Sequence, residues 1–312
     1  MQTAVATAGP EGEPEMSQTE SRRLPRPPEA DARLPLLIDT DVGTEIDDQY
    51  AIALALCCPD RFDLVGIAGC YFHDEPDSPA ECVRQARNLL ELAGRPDACP
   101  VARGCDPLSW TDRPMDGEAV ELIIESARGR DPENPLWIVA LGPLSNVASA
   151  WLRKPEISEQ VVLVFHSRSR HWDLKFSSYN AIQDLRAARA VMRSRLPLVL
   201  FDAGTYLTMG AEETERRLAS SGRLGAYLHD YRSKKKGYAS PLKGFFDLAD
   251  IAWLCEPEIG EWQTVPVPEI RPDLTLSFDR PCGRCLRVHQ IDNRRARELF
   301  YRRLAAAAGG SA

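Results

Sequence analysis

Several things are scarce in this 312-residue chain, and each scarcity excludes something. No apolar run approaches the length of a bilayer-crossing helix, which excludes a helical membrane span. Nothing near the amino end resembles the apolar core of a secretory signal. Residues 1 to about 33 are instead rich in Pro, Glu, Ala and Ser with scattered Arg, and are expected to form a disordered leader. Its acids, Glu11, Glu13, Glu15 and Glu20, also argue against an organelle transit peptide. Positive charge is in deficit, 38 Lys and Arg against 46 Asp and Glu, so the net charge is -8. That balance argues against general nucleic-acid binding or an anionic membrane surface as partner. Cysteines number nine, an odd and scattered set without a signal peptide, which points to reduced thiols and a cytoplasmic location. Cys282 and Cys285 form a Cys-x-x-Cys with His289 close behind, but no fourth zinc ligand is evident, and two reduced thiols is the simpler reading.

What is present is ordinary for a globular protein: 44% hydrophobic and 27% charged residues. From Leu34 onward short apolar runs alternate with helical patterns. Strands are expected at 36–38, 62–68, 100–102, 136–141, 161–165, 197–201 and 286–289. Helices are expected from Tyr50, over 80–93, ending at Gly94, and over 119–127, 145–152, 184–192, 245–254 and 293–304. Alternation of this kind predicts an α/β fold, a Rossmann-like open and mostly parallel sheet with helices on both faces, as one domain over 34–312. Ligands of such sheets bind beyond the carboxyl ends of the strands. The polar, highly charged stretch 211–244, with Lys234, Lys235 and Lys236, is expected to be a mobile helical insertion or lid.

The stretch 36–48, LLIDTDVGTEIDD, stands out. It carries Asp39, Asp41, Glu45, Asp47 and Asp48, and no Lys or Arg occurs between Arg33 and Arg61 to neutralise them. It lies between the first strand and the first helix, hence at the carboxyl edge of the sheet. Carboxylates this close repel one another and their pKa values rise unless a cation sits among them. A hard divalent metal held by oxygen ligands relieves this. A solvated loop with Asp47 as helix N-cap would account for one or two of the five acids. An EF-hand loop does not fit, because Gly43, Thr44 and Tyr50 stand where it needs Asp or Asn, Gly and Glu. A haloacid-dehalogenase-like phosphatase, with Asp39 as nucleophile, shares the Asp-x-Asp after a strand but leaves Asp47 and Asp48 unexplained.

The pattern Asp-Thr-Asp-x-Gly, then Asp-Asp and the helix DDQYAIALAL, resembles the inosine-uridine type nucleoside hydrolases, in the longer version of their motif with an extra acid at Glu45. Further segments are similar in the same order: NLLELAG at 88–94, VALGPLSNVA at 139–148, Pro155-Glu156-Ile157, Tyr179-Asn180 with Asp184 four residues on, and Phe246-Asp247 followed by IAWLCEPE. This resemblance implies a Ca2+ site made by Asp41, Asp48, Asp247 and the backbone carbonyl of Leu141. It implies ribose hydroxyls held by Asp47, Asn180 and Asp247, and a structural Asp39. The implied reaction is hydrolysis of the N-glycosidic bond of a ribonucleoside or related N-riboside. Asp41 would be the general base on the attacking water. A homodimer or homotetramer is expected from the same likeness.

The leaving-group half departs from the family pattern. Phe246 stands where the family has His, and Ser178 where it has Glu two residues before the Asn; His166-Ser167 replaces a Gly-Gly. His171 or His166 could replace the missing acid, and Trp172, Tyr179 and Phe246 could stack on a flat aglycone. A packed core histidine at 166 and a surface one at 171 are the plain readings of those residues, as a capping role is for Asn180 and an N-cap role for Asp247. His73 and His229 have no evident partner. The altered residues also fit a nucleoside- or ribose-binding protein that has lost catalysis.

Overall fold

The structure, a computed structural model, describes residues 22–167, 178–235, 239–279 and 281–309. Its elements are β1 (Leu34–Thr40), α1 (Asp47–Leu56), β2 (Phe62–Gly69), α2 (Ser78–Leu92), β3 (Val101–Ala102), α3 (Glu118–Ala127), β4 (Leu136–Ala140) and α4 (Ser145–Arg153). Then come β5 (Val161–His166), α5 (Tyr179–Gln183), α6 (Leu185–Arg193), β6 (Leu198–Phe201), β7 (Thr208–Gly210), α7 (Ala211–Leu218), α8 (Gly222–Lys234) and β8 (Leu242–Gly244). Last are α9 (Leu248–Cys255), β9 (Gly260–Pro266), β10 (Glu269–Ile270), β11 (Leu276–Ser277), β12 (Arg284–Ile291) and α10 (Asn293–Gly309).

Eight strands form one sheet in the order β3-β2-β1-β4-β5-β6-β12-β9. Every neighbouring pair is parallel except β9 with β12. The α/β class read from the sequence is therefore the observed one. Central strands buried on both faces must be apolar throughout, and all seven residues of β1 and all five of β4 are buried. Alternate side chains serve opposite faces. Leu36 and Ile38 enter one core with α1, α2, α9 and α10, while Leu37 enters the other with α3, α4 and α6. Helix α1 is buried on every side, which the all-round apolar run YAIALAL over residues 50–56 requires. It starts at Asp47, three residues earlier than expected from its apolar pattern.

The direction of strand order reverses between β1 and β4, so a crevice opens at their carboxyl ends. The acidic turn after β1 lies there, and so does the turn after β4. Asn146, at the start of α4, ties them together: its Nδ2 donates to Asp39 Oδ1 (2.8 Å) and Gly69 O (3.2 Å), and its Oδ1 accepts from Cys105 N (2.9 Å). The segment 211–244 is helical as expected in α7 and α8, with β7 and β8 paired antiparallel beside them. Residues 22–33 have no regular element but are not loose. Arg22 is buried and donates to the carbonyls of Val191 (3.1 Å), Met192 (2.8 Å) and Ser194 (2.6 Å), so packed chain begins earlier than the composition break near residue 33. No helix of the described residues is long and apolar enough to cross a membrane.

Candidate active site

A cavity of about 440 Å3 opens at this crevice, lined among others by Asp41, Asp47, Asp48, Leu141, Asn180 and Asp247. His166, Tyr179 and Phe246 line it too. Thus the turn after β1, the end of β4, the end of β5, the start of α5 and the start of α9 all deliver residues to one place. Gly43 has φ +124°, a left-handed conformation that lets the chain double back between Asp41 and α1. Gly142 lets the β4 turn pass Asp41 closely, since a Cβ there would stand 3.0 Å from Asp41 Cβ.

Asp47, Asp48 and Asp247 each offer a carboxylate oxygen, and these oxygens all lie within 4.8 Å of one another. Asp41 lines the same cavity without joining that tightest group. Asp47 is not an N-cap. No side-chain cap closes α1, and Asp47 Oδ2 instead accepts from the backbone N–H groups of Phe246 (3.1 Å) and Asp247 (3.4 Å). Asp247 holds the N-cap position of α9 but makes no side-chain cap bond. Asp48 accepts a hydrogen bond from the Thr40 hydroxyl. Asn180 does not cap its own helix either: Nδ2 donates to Leu141 O (2.5 Å) and His166 O (3.3 Å), while Ser178 Oγ is the α5 cap. One lone pair of the Leu141 carbonyl is thereby used and one remains.

Burial pushes the Asp41 carboxyl up to about 7, with Asp47 and Glu45 adding to the effect and a Thr44 hydrogen bond opposing it. Asp48 and Asp247 are pushed well above the ordinary carboxylate range, chiefly by burial and then by neighbouring acids. Repelling oxygens without a neutralising cation among them are a poor resting state and a fitting donor set for a hard divalent ion. These residues could therefore hold a metal. Among the described residues, the groups able to do so contain no cysteine, so Cys282 and Cys285 do not enter one. All nine cysteines are free.

Asp39 takes no place in the cavity. It is fully buried, bonded to Asn146 and to the Cys70 thiol (3.2 Å), and pushed up to about 7 by that burial. An attacking nucleophile in the phosphatase manner has no access from there. Asp184 is likewise occupied, accepting from Leu108 N (2.8 Å), Ser145 Oγ (2.7 Å) and Ala187 N (3.0 Å).

Of the histidines, His166 is buried at the end of β5 with Nδ1 2.7 Å from Asp250 Oδ2 and 3.8 Å from Asp247 Oδ1. Burial alone would lower its pKa; Asp250 outweighs this and raises it. Asp250 was not singled out by the sequence reading, although it lies one helical turn beyond Asp247, and i, i+3 residues share a face. His171 and Trp172 lie outside the described residues. His73 does have partners, Gln183 Oε1 at 2.8 Å and Asp74 Oδ1 at 3.0 Å. Two lysines to which the sequence reading gave no role at the site, Lys235 from the charged stretch 211–244 and Lys243, grip the acidic turn. Lys235 Nζ donates to the carbonyls of Gly43 (2.5 Å), Thr44 (3.1 Å) and Glu45 (3.2 Å), and Lys243 pairs with Glu45 (2.6 Å). Lys243 also lies 4.9 Å over the Phe246 ring.

Known proteins resemble this chain in sequence and in fold. The chain is 30% identical over 264 residues to the pyrimidine-specific ribonucleoside hydrolase RihA of Citrobacter koseri, covering 72% of this chain and 80% of that one. It is 30% identical over 257 residues to the non-specific ribonucleoside hydrolase RihC of Shigella flexneri, covering 73% and 81%. A solved plant nucleoside hydrolase shares the fold with a TM-score of 0.70 at 20% identity, over 88% of this chain and 100% of the other. Residues 36–275 match the family model described as inosine-uridine preferring nucleoside hydrolase, and the chain belongs to that family of N-glycosyl hydrolases.

Proposed function

We propose that the protein hydrolyses the N-glycosidic bond of a ribonucleoside or a related N-riboside, using bound Ca2+, with Asp41 as general base. The supporting observation is the single cavity that joins Asp41, Asp47, Asp48 and Asp247 to the Leu141 carbonyl and the Asn180 amide. Cleavage of such a bond leaves positive charge on the sugar. Fixed buried carboxylates facing that sugar lower the barrier because they need no reorganisation as charge develops. Asp41, Asp48, Asp247 and Leu141 O would hold the cation, and when bound it would polarise a water and anchor the sugar diol. Asp41 accepts the water's proton as the general base. Asp47 takes a ribose hydroxyl with an orientation set beforehand by the two N–H groups on Oδ2. Asn180 and Asp247 take the remaining sugar contacts.

The aglycone lies against the aromatic side of the cavity. Tyr179 is 49% exposed there and Phe246 half-buried, which leaves flat faces for a base to stack on. His171, with Trp172 beside it in sequence, serves as the leaving-group acid. The protein is cytoplasmic and a homodimer or homotetramer.

A second reading has specific support. Phe246 carries no proton to give, and Ser178, whose Oγ caps α5, supplies a hydroxyl where the family has a carboxyl. A nucleoside-binding protein without turnover would show the same two features. A panel of ribonucleosides, followed by chromatography of released base, separates the readings. Base release that is lost on chelation and restored by Ca2+ supports hydrolysis. Tight binding without release supports the second reading, and release that persists after thorough chelation sinks the metal-dependent one.

A further inference from the structure

At the amino edge of the sheet, opposite the active site, the helices α1 and α9 end side by side. Cys58 follows α1 and Cys255 closes α9, and their sulfurs are 3.7 Å apart, in van der Waals contact, with the Cys255 thiol pointing its hydrogen to Cys58. Among the described residues this is the one thiol–thiol contact recorded, although the chain has nine free cysteines. The two residues are 197 positions apart in sequence, so the contact exists only in the folded chain.

Cys58 is fully buried, whereas Cys255 is 7% exposed and lines a cavity of about 760 Å3 together with Asp60, Arg61, Arg302 and Arg303. A small oxidant can reach Cys255 through that cavity. Burial, and next the Cys58 thiol beside it, push the Cys255 thiol well up, and the guanidiniums of Arg303 and Arg61 offset only part of this.

We infer that Cys58 and Cys255 are an oxidisable dithiol, a modification site that joins α1 to α9 by a disulfide when the protein meets a peroxide. In the first step the Cys255 sulfur attacks a peroxide oxygen, the O–O bond breaks, and a sulfenic acid and one water form. In the second the Cys58 sulfur attacks that sulfur, the S–O bond breaks, and the hydroxyl leaves as a second water with the Cys58 proton. Two thiols are oxidised and one peroxide is reduced to two waters. Because the sulfurs already touch, closing the bond calls for side-chain rotation more than backbone movement. The product spans a long loop and restrains the unfolded chain. It also ties the far ends of the two helices whose first residues carry Asp47, Asp48 and Asp247, so oxidation preserves the folded site under peroxide instead of damaging it.

The full-length reduced protein is treated with hydrogen peroxide under native conditions, then alkylated and mapped. The expected result is a mass lower by about 2 Da. Free thiols fall from nine to seven, and one cross-linked peptide joins Cys58 to Cys255. The midpoint of thermal unfolding rises by several degrees. Cys58→Ala and Cys255→Ala, which keep an apolar group in place, should each abolish the mass loss and the rise in midpoint, while Cys99→Ser should abolish neither. The inference is overturned if oxygen is added to Cys255 without a cross-link, if the lost thiols map to other cysteines, or if the cross-link forms only after denaturation.

Discussion

Stripping metal from the protein should reveal a stability cost that depends on pH. Asp41 lies buried with its carboxyl pushed from 3.8 to about 7, and Asp48 and Asp247 are pushed up by the same causes. A carboxyl whose folded pKa is raised favours the fold while protonated, and that contribution is lost as pH rises from the unfolded to the folded value. For Asp41 the window is therefore 3.8 to about 7, and the gap corresponds to about 4 kcal/mol. A bound cation requires the ionised carboxylates and cancels their repulsion. Its stabilisation should then grow through this same window. At a hundred times its Kd, calcium adds about 2.7 kcal/mol, which for a chain of this size is a midpoint shift of roughly 4 °C. The measurement is thermal unfolding of chelated protein with and without added Ca2+, at about pH 5 and about pH 8. The shift should be large at the higher pH and small at the lower one. Asp48→Asn should shrink it while making the metal-free protein more stable at the higher pH, because a buried charge has been removed. Equal shifts at the two pH values, or a full shift in Asp48→Asn, would refute the reasoning.

Asp41→Asn should lower kcat by a factor of about 10² to 10⁴, the usual worth of a positioned general base, with KM changed much less, as read by base-release kinetics. Asn146→Ala strands the Asp39 carboxylate oxygen, the Gly69 carbonyl and the Cys105 N–H in the interior, and should cost about 2 to 4 kcal/mol in urea unfolding. Arg22→Met removes the guanidinium that donates to three carbonyls in the last turn and C-cap of α6, those of Val191, Met192 and Ser194, and should cost about 1 to 3 kcal/mol, with kcat unchanged because Arg22 lies outside the active-site cavity.

Much of the fold is legible in the sequence because parallel strands buried on both faces must be apolar along their whole length. Segments such as LWIVA in β4 and VVLVFH in β5 leave little choice. The reading fails where burial is one-sided. Strand β9, GEWQTVP, is an antiparallel edge strand with Trp262 48% exposed, and its pattern has no apolar run to betray it. The paired strands β7 and β8 are three residues each, too short for a period. Helix α1 begins earlier than its apolar pattern because its first three residues, Asp47, Asp48 and Gln49, are polar yet buried, and Asp47 and Asp48 are kept inside by the site and not by the core.

The candidate site divides along the same physical line. Its acids were legible because five carboxylates without a nearby cation in sequence are costly, and cost leaves a visible composition. Parallel helices α1 and α9 bring their starts to one crevice, where the positive end of each helix dipole favours the carboxylates of Asp47, Asp48 and Asp247. That arrangement belongs to the topology; in the sequence the partner at residue 247 was visible only through the family resemblance. The His166–Asp250 pair was not legible, because a buried imidazole is unremarkable until the carboxylate 84 positions away is seen against it. Residues that face the leaving group carry still less signal. Tyr179 is largely exposed and Phe246 only half-buried with a lysine over its ring, so neither belongs to the core and either can change with little disturbance of the fold. Selection on the aglycone is free to act at those positions while the metal and sugar side stays tied to the sheet. Exchanging Phe246 for His should therefore alter which aglycone leaves, read as ratios of kcat/KM across a nucleoside panel, and should leave the calcium-dependent rise in unfolding midpoint unchanged. A loss of that rise would mean that the two halves of the site are not separable.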